Sequence, residues 1–275
     1  MQPHAIGLAP LGFLDLSPPA FMRTAGAAGF GSVGIRTRAA VPGGVEHPMD
    51  RNPALLRETR EAIAATGVRV VGVEQVSLFR DTVIDAVRPM LEAGAAIGAT
   101  RVLCSGDDED LAVVADRFAE LCEAAAAFGL TVDLEFMPFR ALKTLEQARD
   151  TILRSGAHNA AIAVDALHLM RSGGGPAALA AIEPRLIGCV QLCDAPPIPP
   201  AAADLATEAR EQRLPPGEGG LPLRAILDVV GPDRPIDAEV PLGRSMPDAD
   251  PFERATLVYR ATARVLAAAR PGQGA

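Results

Sequence analysis

The chain alternates short apolar runs with longer amphipathic runs, and this alternation is the feature that most restricts its fold. Eight short segments rich in aliphatic residues are typical of β-strands. Each of the first seven is followed by a segment with helical features, and a closing helical segment follows the eighth. The predicted strands are residues 5–9, 32–36, 68–74, 101–105, 131–136, 161–166, 186–192 and 235–240.

The helical segments include residues 19–29, 53–67, 81–98, 109–129 and 250–270. Apolar residues recur in them at spacings of three and four, and a glycine closes each of the first four as a C-cap. A strand and a helix about every 30 residues, eight times over, predict a (β/α)8 barrel. A doubly wound parallel sheet also alternates strands and helices, but it normally has a glycine-rich turn after its first strand, and GLAPLGFLDL is not such a turn. We therefore expect an α/β fold, a single-domain TIM barrel over residues 1–270, with a disordered tail at 271–275.

Charge and composition exclude several classes of function. The chain has 26 basic and 34 acidic residues, and its net charge of -8 opposes a nucleic-acid backbone. Lys143 is the only lysine in the sequence, which argues against Schiff-base and pyridoxal chemistry. We therefore expect a small-molecule substrate and no nucleic-acid partner.

Cysteine use and hydropathy indicate a cytoplasmic protein. The four cysteines form no CxxC pair and lie in apolar segments, as reduced core thiols do. Mean hydropathy is +0.19, but charged residues interrupt every candidate membrane span, and the first residues lack a signal-peptide pattern. We expect no membrane partner, and a homo-oligomer is compatible with the sequence.

Four polar residues occupy the ends of the last four predicted strands: Glu135, Asp165, Gln191 and Glu239. In a barrel these ends converge on the face where catalytic groups lie. Three carboxylates and an amide crowded into one pocket would repel one another unless a cation were present, which favours a divalent metal. The alternative is that each acid ends its strand and meets solvent or a helix N-terminus.

Strand alternation supports an inward direction for these side chains. If Asp165 points into the barrel, so do Ala161 and Ala163, while Ile162 and Val164 face the helices. The same alternation predicts that the apolar neighbours of Glu135 and Glu239 face outward.

Five strings in this order and spacing resemble the xylose isomerase-like TIM-barrel superfamily: LEFMPF, VDALHLMRSGG, VQLCDAP, RLPPGEGGLPL and DAEVP. They are similar to members called sugar phosphate isomerase/epimerase. Those members hold Mn, Mg or Co with Glu, Asp, His and Glu at the fifth to eighth strand ends, and their two Glu shuttle the substrate proton. The resemblance implies that Glu135, Asp165 and Glu239 are ligands. Gln191 stands where most members have His.

The departure at Gln191 resembles the 3-dehydroshikimate dehydratase branch of the same superfamily. The QxxDAP string and a downstream arginine-rich PGxG segment also resemble that branch. In it the metal assists a β-elimination instead of a reversible proton shift. With an amide in place of imidazole the ligand set is all oxygen, which favours Mg or Mn over Zn.

Further residues are candidates for substrate binding. His168 follows Asp165 by three residues on the active face, and in relatives this histidine contacts substrate. Arg210 and Arg213 lie in the long connection at 194–220, which with the connection at 37–52 is expected to form a lid. The alternative for this pair is a solvated helical face. Arg36 and Glu74 end the second and third predicted strands, where either can line the pocket.

These observations predict a divalent-metal-dependent isomerase or epimerase that moves a proton next to the carbonyl of a small polyhydroxylated substrate. Glu135 and Glu239 are its acid/base candidates, and His168 is a further catalytic candidate. A metal-dependent dehydratase of the 3-dehydroshikimate type is the alternative. A second alternative is a non-catalytic barrel or the subunit of a heteromeric complex. Nucleotide-binding, zinc-protease and serine-hydrolase motifs are absent from the sequence.

Overall fold

Eight parallel strands form a closed barrel in chain order, with β1 paired to both β2 and β8. The structure is a computed structural model that describes residues 6–269. It confirms the predicted TIM barrel, with a strand at each of the eight predicted places. The strands are β1 Gly7–Leu8, β2 Ser32–Arg36, β3 Arg69–Leu78, β4 Arg101–Gly106, β5 Thr131–Glu135, β6 Ala160–Asp165, β7 Ile187–Leu192 and β8 Ile236–Ala238.

Ten α-helices lie between and after the strands of the described chain. Gly29 and Gly67 end the first two helices in the left-handed conformation, with φ of 105° and 69°, as their predicted role as C-caps requires. The helices are α1 Pro18–Ala28, α2 Pro53–Thr66, α3 Arg88–Ala96, α4 Leu111–Ala126, α5 Leu145–Ser155, α6 Ala166–Arg171, α7 Pro176–Ala180, α8 Leu205–Glu211, α9 Leu223–Val230 and α10 Pro251–Ala269.

The third helical segment is shorter than the sequence predicts. In place of one helix over 81–98, a 3-10 turn at Ile84–Ala86 precedes α3. Pro89 explains the break, because proline has no N–H to donate and is tolerated only in the first turn of a helix. The helix therefore begins one residue before this proline.

The main hydrophobic core lies between the barrel and its helices. Ile162, Val164, Leu134 and Phe136 belong to it, as strand alternation predicts, whereas the buried Ala163 does not. Aliphatic and aromatic side chains on the outer face of the strands thus pack against the helices, and small and polar residues lie on the inner face.

The interior of the barrel contains an ionic cluster near the amino ends of the strands. Arg101 Nη2 donates to Asp237 Oδ2 at 3.1 Å, and Arg101 Nε lies 3.7 Å from Asp133 Oδ2. Burial raises the pKa of both aspartates, and Arg101 opposes that effect. The interior is therefore polar through much of its depth.

The prediction of a disordered tail at 271–275 lies outside the described residues. Among residues 6–269, no helix is both long enough and apolar enough to cross a bilayer.

Candidate active site

The four strand-end residues lie at the carboxyl end of the barrel, and all four are buried. Glu135 and Asp165 are the last residues of β5 and β6, and Glu239 follows β8. Asp165 and Gln191 are register partners in β6 and β7, so their side chains project side by side on one face of the sheet. The loops above this face have no comparable cluster of buried carboxylates among the described residues.

Asp165 connects β6 to the short helix α6. Its Oδ1 accepts a hydrogen bond from the backbone N–H of His168 at 2.9 Å, which makes it the N-cap of that helix. This cap brings the His168 ring beside Glu135, with Nε2 at 3.7 Å from Oε1. Glu135, Asp165 and His168 each offer one ligand atom, and the three atoms lie within 4.8 Å of one another. The three residues therefore form the compact part of the site.

Arg213 joins this cluster from the connection between β7 and α9. Its Nη1 donates to Asp165 Oδ2 at 2.6 Å and lies 3.1 Å from Glu239 Oε2. The side chain is 2% exposed, so Arg213 is not part of a solvated helical face. The sequence suggested a substrate ligand at this position, and the structure places the guanidinium among the predicted metal ligands.

Burial and mutual repulsion change the acidity of the carboxyl groups. Burial raises the pKa of Glu135 well above its usual range, and the charges of Glu239 and Asp165 raise it further. Burial also raises the pKa of Glu239 to about 7, although Arg213 opposes it. Burial would raise the pKa of Asp165 too, but Arg213 and His168 hold it below its usual value. Asp165 is thus the carboxylate that stays charged.

His168 is a neutral imidazole at physiological pH. Burial lowers its pKa to about 4, against the opposing charge of Asp165. Its contact with Glu135 is therefore not an ion pair, and 3.7 Å is too long for a hydrogen bond. The ring meets Phe139 edge to face, with 5.5 Å between centroids. A neutral, fixed imidazole can accept a proton or bind a metal ion.

The donor set fits a divalent cation bound through oxygen. With all three carboxyl groups ionised, they and the Arg213 guanidinium carry two net negative charges, which one divalent ion would neutralise. Gln191 Oε1 is buried and has no hydrogen-bond partner in the described part of the chain, as expected of an atom that would bind a ligand. Carboxylate and amide oxygens are the ligands that Mg and Mn prefer.

A cavity opens beside this cluster. Four of the residues that line it each have a buried polar atom without a hydrogen-bond partner among residues 6–269: Arg36 Nε, Glu74 Oε1, Arg140 Nε and His168 Nδ1. Unpaired buried polar atoms are costly, so their concentration here indicates a place for a polar ligand. The lining residues are Leu11, Arg36, Ala40, Glu74, Gln75, Glu135, Met137, Phe139, Arg140, His168, Ala209, Arg210, Arg213 and Glu239.

The substrate-binding candidates from the sequence all reach this cavity. Arg36 Nη2 lies 3.7 Å from Glu74 Oε1, and burial raises the pKa of Glu74 despite this neighbour. The Arg210 guanidinium carbon lies 5.5 Å from the Phe139 ring centre. In the described part of the chain, no carboxylate lies within 4 Å of the Arg210 guanidinium. Arg210 is exposed at this wall, and among residues 6–269 it is the cavity-lining arginine without a carboxylate partner.

Gln191 differs from the other ligand candidates, because its side chain borders a second cavity deeper in the barrel. That cavity shares Glu74 with the first. Its walls also contain Arg101, Asp133 and Asp237. Gln191 therefore lies between the carboxylate cluster and the ionic cluster of the interior.

Phe139 and Arg140 are among the residues of the cavity wall that the sequence reasoning missed. Arg140 forms an ion pair with Asp107 and donates from Nη2 to the carbonyl of Ala40 at 3.2 Å. It thereby joins the loops after β2, β4 and β5 above the cavity. The string MPFR directly follows β5 at the active face, and this position was the available signal for both residues.

Asp194 secures the connection that carries Arg210 and Arg213. Its backbone exchanges hydrogen bonds of 2.7 and 2.8 Å with Leu214, and its carboxylate accepts from the N–H groups of Ala195, Gly217 and Leu221, each at 2.9 Å. A buried ion pair between Arg171 and Glu208, with nitrogen and oxygen 2.7 Å apart, holds the helical part of the same connection. The connection is therefore tied to the barrel at both ends.

The fold and the site together define an eight-stranded α/β barrel with a polar, carboxylate-rich cavity at the carboxyl ends of its strands. Residues 22–262 match the family described as xylose isomerase-like TIM barrel, and the chain belongs to this family. The resemblance seen in the sequence is thus confirmed.

The chain is also similar to individual curated and solved proteins. A 3-dehydroshikimate dehydratase from Pseudomonas aeruginosa is 33% identical over 133 residues, which is 47% of this chain and 20% of that protein. The chain thus spans about a fifth of the length of this curated relative. The IOLI protein, solved with a bound zinc atom, superimposes with a TM-score of 0.79 at 17% identity, over 98% of this chain and 100% of that one. A 3-keto-D-glucoside 4-epimerase from E. coli superimposes with a TM-score of 0.72 at 18% identity, over 96% of this chain and 99% of that one. Known members of the family are enzymes.

Proposed function

We propose that this protein is a metal-dependent dehydratase. Its substrate would be a small polyhydroxylated carbonyl compound that carries a carboxylate, of the 3-dehydroshikimate type. The observation that carries the proposal is the free guanidinium of Arg210 on the wall of the cavity. A neutral sugar offers no partner for this charge, whereas a carboxylate pairs with it in a bidentate fashion. The partial match to a dehydratase supports the same choice.

Glu135, Asp165, Gln191 and Glu239 would hold the metal. When bound, such an ion supplies Lewis-acid polarisation of the substrate carbonyl. Arg36 and Arg140 also line the cavity, and their guanidinium groups would bind substrate oxygens and so orient the ring.

The elimination needs one proton acceptor and one proton donor. The imidazole of His168 is neutral and can take the proton from carbon, whose bonding electrons then form the new double bond. The carbon–oxygen bond breaks on the neighbouring carbon, and the departing hydroxide needs a proton to leave as water. The imidazolium that forms on His168 when it takes the proton from carbon can supply it. The atoms balance as substrate going to an unsaturated product and water.

Epimerisation or isomerisation is the second candidate, and one observation favours it. Glu135 and Glu239 line the same cavity, and burial raises the pKa of both. One carboxylate can remove a proton from carbon and the other can return it, which would conserve the hydroxyl that a dehydratase expels.

Product analysis with 3-dehydroshikimate and added Mg or Mn tests the proposal. Loss of water gives an aromatic dihydroxybenzoate, which ultraviolet absorbance follows directly. We expect Arg210→Gln to raise the KM about 10- to 100-fold, since a charge-assisted contact is lost. Arg260→Gln, on the exposed side of α10, is the matched control and should leave KM unchanged. No aromatic product with either metal, or an unchanged KM in Arg210→Gln, would refute the proposal. Solvent deuterium in a recovered ketose without loss of water would favour the epimerase.

A further inference from the structure

The Arg213 guanidinium lies among the residues that the proposed function assigns to the metal. Its Nη1 contacts Asp165 and Glu239, two of the four proposed ligands, at 2.6 and 3.1 Å. The same nitrogen lies 3.4 Å from the backbone carbonyl of Glu239 and 3.6 Å from Cys193 Sγ. We infer that Arg213 is a built-in counter-cation that competes with the divalent ion. The inference rests on the proposed metal site.

Arg213 cannot leave this place as easily as a surface arginine. Its Nε donates to the carbonyl of Ala209 at 2.6 Å, and the whole side chain is buried. The next residue, Leu214, is bridged to Asp194, whose carboxylate holds the following loop. Departure of the guanidinium would break these bonds or strand a buried charge.

Charge balance gives Arg213 two opposite effects. Without metal it compensates the carboxylates, and its removal would leave Glu135, Asp165 and Glu239 facing one another in a site with little water. With metal it adds a positive charge beside a cation that contacts the same carboxylates. Arg213 should therefore stabilise the metal-free protein and weaken the binding of the ion.

The second effect separates this inference from a purely structural role. A structural arginine would only lower stability, and its loss would disturb the ligands and weaken metal binding. If Arg213 is a competing cation, the opposite change in metal binding is expected. Loss of its charge should strengthen binding even while the metal-free protein becomes less stable.

Binding of Mn alone, measured by calorimetry on metal-free protein, tests the inference without any substrate. We expect Arg213→Gln to bind Mn at least 10-fold more tightly than wild type. Its metal-free melting temperature should fall, and saturating Mn should raise that temperature by more than in wild type. Arg213→Lys keeps the positive charge, and its Mn affinity should remain within about threefold of that of wild type. This variant therefore tests the inference if Arg213→Gln fails to fold. Arg210→Gln is the matched control for loss of a cavity arginine and should leave Mn affinity unchanged.

Each outcome is decisive. Tighter Mn binding by Arg213→Gln than by wild type supports the inference. Mn binding by Arg213→Gln but not by wild type also supports it, although that result would refute a metal-dependent wild-type protein. Equal or weaker binding by Arg213→Gln overturns the inference and leaves the proposed function intact. If Arg213→Gln does not fold, a tenfold or greater difference in Mn affinity between Arg213→Lys and wild type also overturns the inference. Absence of Mn binding in wild type and in both variants overturns the inference and the proposed metal site together.

Discussion

Asp194 offers the sharpest test of how the long connection between β7 and α9 is held. Its carboxylate accepts three backbone N–H bonds, from Ala195, Gly217 and Leu221, each at 2.9 Å. A hydrogen bond to a charged group contributes about 1.5–3 kcal/mol, and a buried donor left unpaired adds its desolvation penalty. Gly217 is exposed and regains water, whereas Ala195 and Leu221 are buried. We therefore expect Asp194→Ala to lower the free energy of unfolding by about 3–5 kcal/mol.

Urea unfolding followed by circular dichroism measures this loss. Asp194→Asn keeps one carbonyl oxygen as an acceptor and should lose about half as much, which preserves the test if the alanine variant does not fold. Asp150→Ala removes an exposed carboxylate that pairs only with its neighbour Arg149, and it should cost less than about 0.5 kcal/mol. A loss below about 1 kcal/mol for Asp194→Ala, equal to that of the control, would mean that these hydrogen bonds do not hold the connection.

Three further results are expected. Glu135→Gln and Glu239→Gln should each lower turnover about 100- to 10,000-fold, because each removes a proposed metal ligand, which in the epimerase candidate is also the acid or base; wild-type turnover in both variants would refute these roles. Gln191→His should keep metal binding but shift the relative affinities toward later transition metals, and an unaltered order of Mg, Mn, Co and Zn affinities would contradict this. Because burial raises the pKa of Glu239 from 4.5 to about 7, the contribution of this group to the stability of the metal-free protein should fall by about 3 kcal/mol as pH rises through that interval. His168, whose pKa is lowered to about 4, changes stability in the opposite direction, so the measurement is the difference in thermal unfolding between wild type and Glu239→Gln at pH 5 and at pH 8. A stability advantage of wild type over this variant that is equal or larger at pH 8 would contradict the assignment.

Strand positions and the direction of strand-end side chains were predictable from the sequence because both follow from patterns in neighbouring residues. Alternation along β6 places Asp165 inward and Ile162 and Val164 against the helices, and the structure agrees. The spacing of the strands then brings Glu135, Asp165 and Glu239 to one end of the barrel, since every strand is parallel.

The place of Arg213 was not predictable in the same way. It lies in a connection with no hydrophobic period, and its position depends on the bridge between Asp194 and Leu214 and on the bonds that follow. Arg140 was missed for a similar reason, because its partners Asp107 and Ala40 come from two other loops. Contacts between loops depend on the path of each loop in space, and local sequence patterns do not encode that path.

Metal content tests the central claim, that a divalent ion is part of this site, most directly. Elemental analysis of wild type purified without added metal, beside Asp165→Asn, measures it. We predict close to one Mn, Mg or Co per wild-type chain and a loss of at least 10-fold in the variant, since the carboxylate that stays charged is removed. The same content in both proteins, or a wild type that stays free of metal after Mn is added, would contradict the account.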